Sequence, residues 1–397
     1  MTSPKIPGDE FTIRQDVIAL RRAVFEERDK SKLPNLIAME KALQDVRRMR
    51  AIKEKTDGAG SVFAFSSASN LLGPNTNGLD IEVTVKMVAL PTALVHLYEK
   101  DTNPLLEYRI TNTMLATRRL KLISSIEGYS ATAVDTVEAE QNIPLTVRQL
   151  PTLFPDRLDA ISELTRATIN VQIQDLDKAT ELHKTVPIWL LAKTSVPLEM
   201  TDPATGEMND LTRYLGAFVT PNVEPIMAFL RRAVDKIPSK RFVGYQLNEV
   251  EVTAQVRAIY EALSLSGINY VNSIITFTPD SSTFNQRVRL PQETLTHGIA
   301  NCVDGTLLMA SLLEAISLNP AIVIVPGHAF LGWQKWRDKD EWQYLETTMF
   351  ATGSFDEACE AAQETVKEWR AADGGKGTLL KQRALKELRA GGITPRQ

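Results

Sequence analysis

The sequence predicts an α+β protein, and three observations support this. Residues 9–55 repeat apolar side chains at the spacing of amphipathic helices, whereas residues 79–196 alternate with the period of two that strands show. After residue 208, helical stretches and short apolar strands follow one another. A chain of 397 residues is long enough for two or three domains. We expect a helical N-terminal segment at 1–58, a linker at 59–78, a β-sandwich at 79–200 and a mixed C-terminal domain at 208–397.

Composition excludes several classes of function. The net charge of −4 provides no basic field for nucleic acid, so any such contact is expected only through a partner. The sequence shows neither a signal-type leader nor an apolar run of bilayer length, which predicts a cytoplasmic protein without membrane contact. Two cysteines exclude a disulfide framework, and none of the four histidines has metal-ligand spacing. We expect no metal and no cofactor.

The N-terminal segment is predicted to form a helical hairpin. One apolar stripe comprises Val17, Leu20 and Val24, and Pro34 with Asn35 separates it from a second stripe. The second stripe comprises Leu36, Met39, Leu43 and Val46. Its helix ends in basic residues: Arg47, Arg48, Arg50, Lys53 and Lys55. Cations suit the carboxyl end of a helix dipole; the alternative is a docking arm for a partner or a nucleic-acid backbone.

Residues 79–200 are predicted to form a β-sandwich with one face buried. Ile81, Val83 and Val85 alternate with polar residues, and similar alternation recurs four times. The five segments are 81–87, 106–110, 120–124, 167–173 and 186–191. Short alternating strands separated by turn residues are typical of an immunoglobulin-like module. We interpret this module as a support or a recruiting surface, with His96 and His183 as structural or surface residues.

A cysteine is predicted at the start of a buried helix. Pro291 to His297 has the pattern of a short helix that Gly298 ends. Asn301 is then a suitable N-cap, with Asp304 in the capping-box position three residues later. Cys302 thereby occupies the first helical position, where the helix dipole favours a thiolate.

A histidine and a glutamate follow on predicted strands. After a strand at 321–325, His328 begins a second strand, and residues 342–348 form a third. A hairpin symmetric about Arg337 would place His328 directly opposite Glu346, and Phe330 opposite Tyr344. A slip of one residue would put the histidine and the glutamate on opposite faces.

These residues form the order of a cysteine nucleophile, its base and the acid that orients the base. We predict Cys302 as nucleophile, His328 as base and Glu346 as orienting acid. The backbone N–H of Cys302 and the side chain of Gln286 are the predicted oxyanion donors, and Asn301 supports the site. The alternative is a structural role for each residue; Cys359, on an amphipathic helix, is predicted to be a core residue.

The run from Gly298 to Trp333, together with the later WQYLETT, resembles the core of the transglutaminase-like, papain-related superfamily. The resemblance implies a Cys on a buried helix, a His on the following strand and an Asp on the strand after that. In this sequence the corresponding residues are Cys302, His328 and Glu346, so a Glu replaces the Asp. The sequence also resembles the N-terminal region of large bacterial helicase-fused proteins of unassigned function. The shared motifs are 217–222, 244–246, 286–291, 327–330 and 346–348. The chain has no phosphate-binding glycine loop, so we expect no ATP-binding helicase domain in it.

Three functions are compatible with this sequence. The first is a cysteine peptidase or amidase that acts on a protein through an acyl-enzyme. The second is a protein-crosslinking transglutaminase, in which an amine resolves the same intermediate. The third is a non-catalytic scaffold within a bacterial defence or DNA-processing assembly.

Overall fold

The computed structural model describes residues 10–21, 23–24, 29–56, 78–201, 208–272, 283–337, 339–372 and 379–396. Its mixture of helices and strands confirms the α+β class. The chain divides into two compact units. The mixed unit comprises 1–47, 210–275 and 287–397, and the β unit comprises 48–209 and 276–286. Apart from Gly78, the predicted linker at 59–78 lies outside the described residues, as do the side chains of the basic cluster at 47–55.

Two helices begin the described chain, strands predominate between residues 79 and 210, and helices are interspersed with strands after that. The helices are α1 (Glu10–Arg21), α2 (Leu33–Thr56), α3 (Pro155–Asp159), α4 (Glu224–Ala233), α5 (Glu249–Ser264), α6 (Pro291–His297), α7 (Cys302–Ala315), α8 (Phe355–Ala372) and α9 (Leu385–Ala390). The strands are β1 (Leu79–Val85), β2 (Ala89–Leu90), β3 (Leu106–Asn112), β4 (Arg118–Ile126), β5 (Ala133–Ala139), β6 (Leu145–Gln149), β7 (Thr165–Asp175), β8 (Thr180–Leu190), β9 (Ser195–Thr201), β10 (Met208–Asp210), β11 (Asn269–Tyr270), β12 (Thr283–Arg287), β13 (Ile299–Ala300), β14 (Pro320–Val325), β15 (His328–Gln334), β16 (Trp342–Leu345) and β17 (Lys381–Ala384). No helix among the described residues is long and apolar enough to cross a membrane.

Two sheets of the β unit share one apolar core. One sheet has the order β1-β3-β6 and the other β2-β8-β7-β4-β5. Alternate residues of β4 are buried, as the period of two predicts. Val83 and Tyr108 of the first sheet share a core with Leu122 and Ile169 of the second. Strand β5 was not predicted from the sequence. It is half-exposed over most of its length, and its apolar and polar residues do not alternate clearly.

The mixed unit is built on an antiparallel sheet of order β16-β15-β14-β17. Helix α7 packs on β14 and β15, and every residue from Val303 to Leu313 is buried. This explains why its sequence is apolar nearly all round. The helix therefore has fixed neighbours along its length and presents its first residue, Cys302, at one end.

The N-terminal helices complete the core of this same unit. Ile13, Val17, Leu36 and Leu43 pack with residues of the sheet and of α8. Those partners are Val323, Val325, Phe330, Tyr344, Ala362, Val366 and Trp369. The sequence predicted residues 1–58 as a separate segment, whereas residues 1–47 group with the mixed unit.

The prediction that Pro34 separates two helices is wrong. Pro34 lies in the first turn of α2, where its missing N–H is tolerated.

The predicted pairing of β15 with β16 is wrong by two residues. Leu331 lies opposite Leu345 and Gly332 opposite Tyr344, so Phe330 is not the partner of Tyr344. The ladder is closed by the N–H of Lys335, which donates to the carbonyl of Glu341 at 2.8 Å, and this moves the centre of the turn beyond Arg337. A shift of two residues keeps every side chain on its original face.

Gly327, directly before β15, is a position where we predict a large loss on substitution. Its φ is +84°, and a Cβ there would come within 2.2 Å of Nε of Arg21. We expect Gly327→Ala to lower the free energy of unfolding by about 1–3 kcal/mol, measured by urea denaturation. Gly392 has the same φ of +84° with no atom within 4 Å, so Gly392→Ala reports backbone strain alone. Equal losses would show that Arg21 does not contribute.

Candidate active site

Cys302 is the first residue of α7, as predicted. Helix α6 ends at Gly298 in the left-handed conformation, with φ of 66°. The two-residue strand β13 then leads to Asn301, whose Oδ1 accepts the N–H of Asp304 at 2.8 Å. The N–H of Cys302 has no carbonyl partner within its own helix, because it belongs to the first turn. The half-buried thiol thus lies beside a backbone N–H at the positive end of the helix dipole.

Asp304 fixes the start of α7. Its carboxylate is fully buried and accepts the N–H of Arg289 at 2.7 Å, Nη1 of Arg289 at 2.7 Å and the N–H of Asn301 at 3.1 Å. Burial raises the pKa of Asp304, and the hydrogen bonds and charge of Arg289 oppose that rise. Asp304 therefore has the structural role that the sequence indicated.

Two threonines that the sequence analysis missed hold the backbone of Cys302. Oγ1 of Thr306 donates to the carbonyl of Cys302 at 2.7 Å, and Oγ1 of Thr347 donates to it at 3.4 Å. The two hydroxyls lie 3.2 Å apart and are buried. Because Thr347 follows Glu346 directly, this contact connects the nucleophile helix to the segment that carries the acid.

His328 and Glu346 form a buried hydrogen-bonded pair. Nε2 of His328 lies 2.7 Å from Oε2 of Glu346, and the side chains are only 4% and 10% exposed. Oε1 of Glu346 accepts the N–H of Thr348 at 3.0 Å and its hydroxyl at 2.7 Å. Strand β16 ends at Leu345 rather than at Thr348, so Glu346 caps a short 3-10 helix. Thr348, also missed, holds one carboxylate oxygen while the other contacts the imidazole.

The imidazole also contacts the thiol. Burial lowers the pKa of His328, but the charge of Glu346 and hydrogen bonds to Cys302 and Glu346 outweigh it and raise that pKa to about 10. Burial raises the pKa of Glu346, yet His328 and Thr348 outweigh it and hold the value below its usual range. Since Nε2 faces the glutamate, Nδ1 is the nitrogen left for the thiol. The structure brings the three predicted residues together in the order Cys302, His328, Glu346.

These pKa shifts predict a pH-dependent contribution to stability. The pKa of His328 is about 10 in the folded chain against 6.5 when exposed, so its contribution is full below pH 6.5 and is lost as the pH rises through 10. The contribution of Glu346 is full above pH 4.5 and is lost on acidification. We expect the loss of unfolding free energy in His328→Gln to be largest between these limits and to shrink toward pH 10. Urea unfolding across this pH range measures it, with His297→Gln, at an exposed site, as the control.

The sequence also drew attention to Gln286, Cys359, His96 and His183. Gln286 belongs to β12 in the β unit, whereas the trio belongs to the mixed unit, and its role as oxyanion donor stays a prediction. Cys359 is half-buried on α8, where burial raises the pKa of its thiol to about 12. His96 and His183 are exposed in the β unit. Among the residues described, no three His, Cys, Asp or Glu side chains group in a way that could hold a metal ion.

Comparison with known proteins returns no relative of this chain. No family model matches the sequence, and no curated protein or solved structure matches it either. The chemical interpretation therefore depends on the geometry of Cys302, His328 and Glu346.

Proposed function

We propose that this chain is a cysteine peptidase or amidase that acts on a protein substrate through an acyl-enzyme. One observation carries the proposal: a buried His328–Glu346 pair at 2.7 Å whose imidazole also hydrogen-bonds Cys302 at a helix N-terminus. A nucleophile, a base and an orienting acid within hydrogen-bond reach are the arrangement that thiol-dependent acyl transfer requires. Burial of a charged pair is costly, which favours a chemical purpose for it.

The proposed reaction proceeds in two steps. His328 takes the proton of the Cys302 thiol, the sulfur attacks the amide carbon, and the backbone N–H of Cys302 stabilises the oxyanion. His328 gives its proton to the departing amine, the C–N bond breaks and a thioester remains. His328 then removes a proton from water, which attacks the thioester; the C–S bond breaks, the acid leaves, and His328 returns the proton to the sulfur. Glu346 stabilises the imidazolium whenever His328 carries a proton.

The fold assignments belong to the same proposal. We assign the mixed unit to a transglutaminase-like fold, supported by the buried helix α7 followed by the antiparallel strands β14, β15 and β16, with the acid after the last. We assign the β unit to an immunoglobulin-like fold. The orders β1-β3-β6 and β8-β7-β4-β5, with the short β2 parallel to β8, support it because consecutive strands change sheets between β3 and β4.

Alkylation tests the nucleophile. We expect iodoacetamide at neutral pH to modify Cys302 at least about 100-fold faster than Cys359, because the thiolate is the reactive form and burial raises the pKa of Cys359 to about 12. The folded protein is alkylated, the reaction is quenched at set times, and peptide mass spectrometry after digestion gives both rates from one sample. Comparable rates for the two cysteines would contradict the proposal.

Hydrolysis and transfer differ in the molecule that accepts the acyl group, which is water in the first and an amine in the second. We expect a casein substrate to be cleaved or deamidated by the wild type and not by Cys302→Ala, without incorporation of a labelled primary amine. Incorporation that requires Cys302 would instead favour a transglutaminase. A reactive Cys302 that supports neither outcome on any protein substrate would favour the scaffold function.

A further inference from the structure

A second site lies at the opposite end of the nucleophile helix. A cavity of about 750 Å³ is bordered by α4, residues 242–246, the carboxyl end of α7, the turn after β15 and α9. Its volume lies within the range of small-molecule sites, about 300–1,000 Å³. Helix α7 has 14 residues, which at 1.5 Å each span about 20 Å, so this cavity is not the surroundings of Cys302.

Part of the cavity lining is apolar. Leu230 is buried, and Val234, Phe242 and Ile316 are half-buried around it. Met227 also lines the cavity and is 40% exposed. An occupant with an apolar body would remove this surface from water, and such burial is the main favourable term in binding.

One wall of the cavity is held in place by a buried side chain. Oε1 of Gln255 accepts the N–H groups of Val243 at 2.7 Å and Gly244 at 2.8 Å, while its Nε2 donates to the carbonyl of Gly244 at 3.0 Å. Gln255 is only 1% exposed. The hydroxyl of Tyr245 adds a link, since it donates to the carbonyl of Gln334 at 2.8 Å and accepts the N–H of Asn319 at 3.0 Å. The cavity is therefore formed before a ligand arrives, which lowers the entropic cost of binding.

The charged side chains that line the cavity are all basic. Arg231 of α4, Arg337 of the turn and Lys386 of α9 line it, and none of the lining side chains is acidic. Arg231 is also bonded to Glu224 at 2.7 Å, which offsets part of its charge. The carbonyl end of α7 contributes only about half a negative charge. Three separate elements thus bring cations to a cavity that also offers apolar surface.

We propose that this cavity binds a small organic anion. Its apolar body would lie on Leu230, Phe242 and Ile316, and its carboxylate, sulfonate or phosphate group would face Arg337 and Lys386. The inference is independent of the chemistry proposed for Cys302, because no residue of that site lines the cavity.

Anilinonaphthalene sulfonate, a fluorescent apolar monoanion, is a suitable probe. We expect it to saturate one site per chain on the intact protein. The double variant Arg337→Glu, Lys386→Glu should weaken its binding about tenfold or more, since two attractions at close range become repulsions. N-phenylnaphthylamine, which has the same rings and no charge, should bind wild type and double variant with affinities within about twofold, because only the anion interacts with these charges.

Two control variants distinguish the contribution of the basic side chains from that of the apolar lining. Lys367→Glu reverses a charge on α8 at an exposed position that does not line the cavity, and should leave the affinity of the sulfonate unchanged. Met227→Ala should weaken both probes, because it removes apolar contact. Absence of one saturable site, an equal effect of Lys367→Glu, or unchanged affinity in the double variant would each overturn the proposal. Slower alkylation of Cys302 at saturating probe would also overturn it by placing the probe at the nucleophile.

Discussion

We expect Glu346→Gln to reduce the alkylation rate of Cys302 about 100-fold or more, the scale that a positioned general base and its orienting acid contribute. Glutamine preserves the size of the side chain and can retain the bond from Thr348, but it lacks the charge that raises the pKa of His328. The imidazolium then loses its stabilising partner, and proton transfer from Cys302 becomes less favourable. The second-order rate with iodoacetamide at pH 7, followed on the peptide that contains Cys302, measures this.

Two further variants make the prediction specific to charge. Glu346→Asp retains the carboxylate but shortens its reach, so its rate should fall between those of wild type and Glu346→Gln. Thr348→Val removes one hydroxyl donor and keeps the backbone N–H on Oε1, and should cost less than about tenfold. A Glu346→Gln protein that reacts at the wild-type rate would remove the glutamate from the mechanism.

The largest effect on stability is expected at Asp304. Asp304→Ala would leave Arg289, whose side chain is 14% exposed, without its carboxylate, and two backbone N–H groups without their acceptor. Breaking a buried pair by removing one partner costs about 3–5 kcal/mol. We expect a loss of that size in the free energy of unfolding from urea denaturation.

Asp356 offers a matched control for that measurement. It makes two hydrogen bonds with Arg257, at 2.8 Å and 2.6 Å, but the side chains are 68% and 39% exposed. Exposed pairs contribute about 1 kcal/mol or less, so Asp356→Ala should be nearly neutral. Similar losses for the two alanine variants would mean that burial of Asp304 is not what makes it important.

Local chemistry allowed the start of α7 to be predicted from the sequence. The cap at Asn301, the turn at Gly298 and the position of Cys302 depend on neighbours within four residues, and all three are as expected. The register of β15 and β16 was not predictable in the same way. It is set by the length of the turn, where Nε2 of Gln334 donates to the carbonyl of Lys339 at 2.7 Å. The glutamate still reaches His328 because the error was an even number of residues.

Contacts between distant segments were beyond the sequence patterns. An apolar stripe on α1 predicts a buried face but does not identify the surface that covers it. The contact of Thr347 with the backbone of Cys302 joins residues 45 positions apart, and no spacing rule indicates it. The only available signal was the presence of two hydroxyl residues directly after Glu346.

The shared core of α1, α2 and the sheet has a consequence for synthesis of the protein. Leu43 leaves the ribosome about 280 residues before Val323, its partner in that core. At roughly 5–20 residues per second, the interval is about 15–60 s. Throughout it, the apolar stripe of the first two helices lacks these partners, and the β unit is synthesised during the same interval, its last segment being 276–286. Nascent chains halted between residues 210 and 320 are therefore the species in which we expect chaperone capture or aggregation.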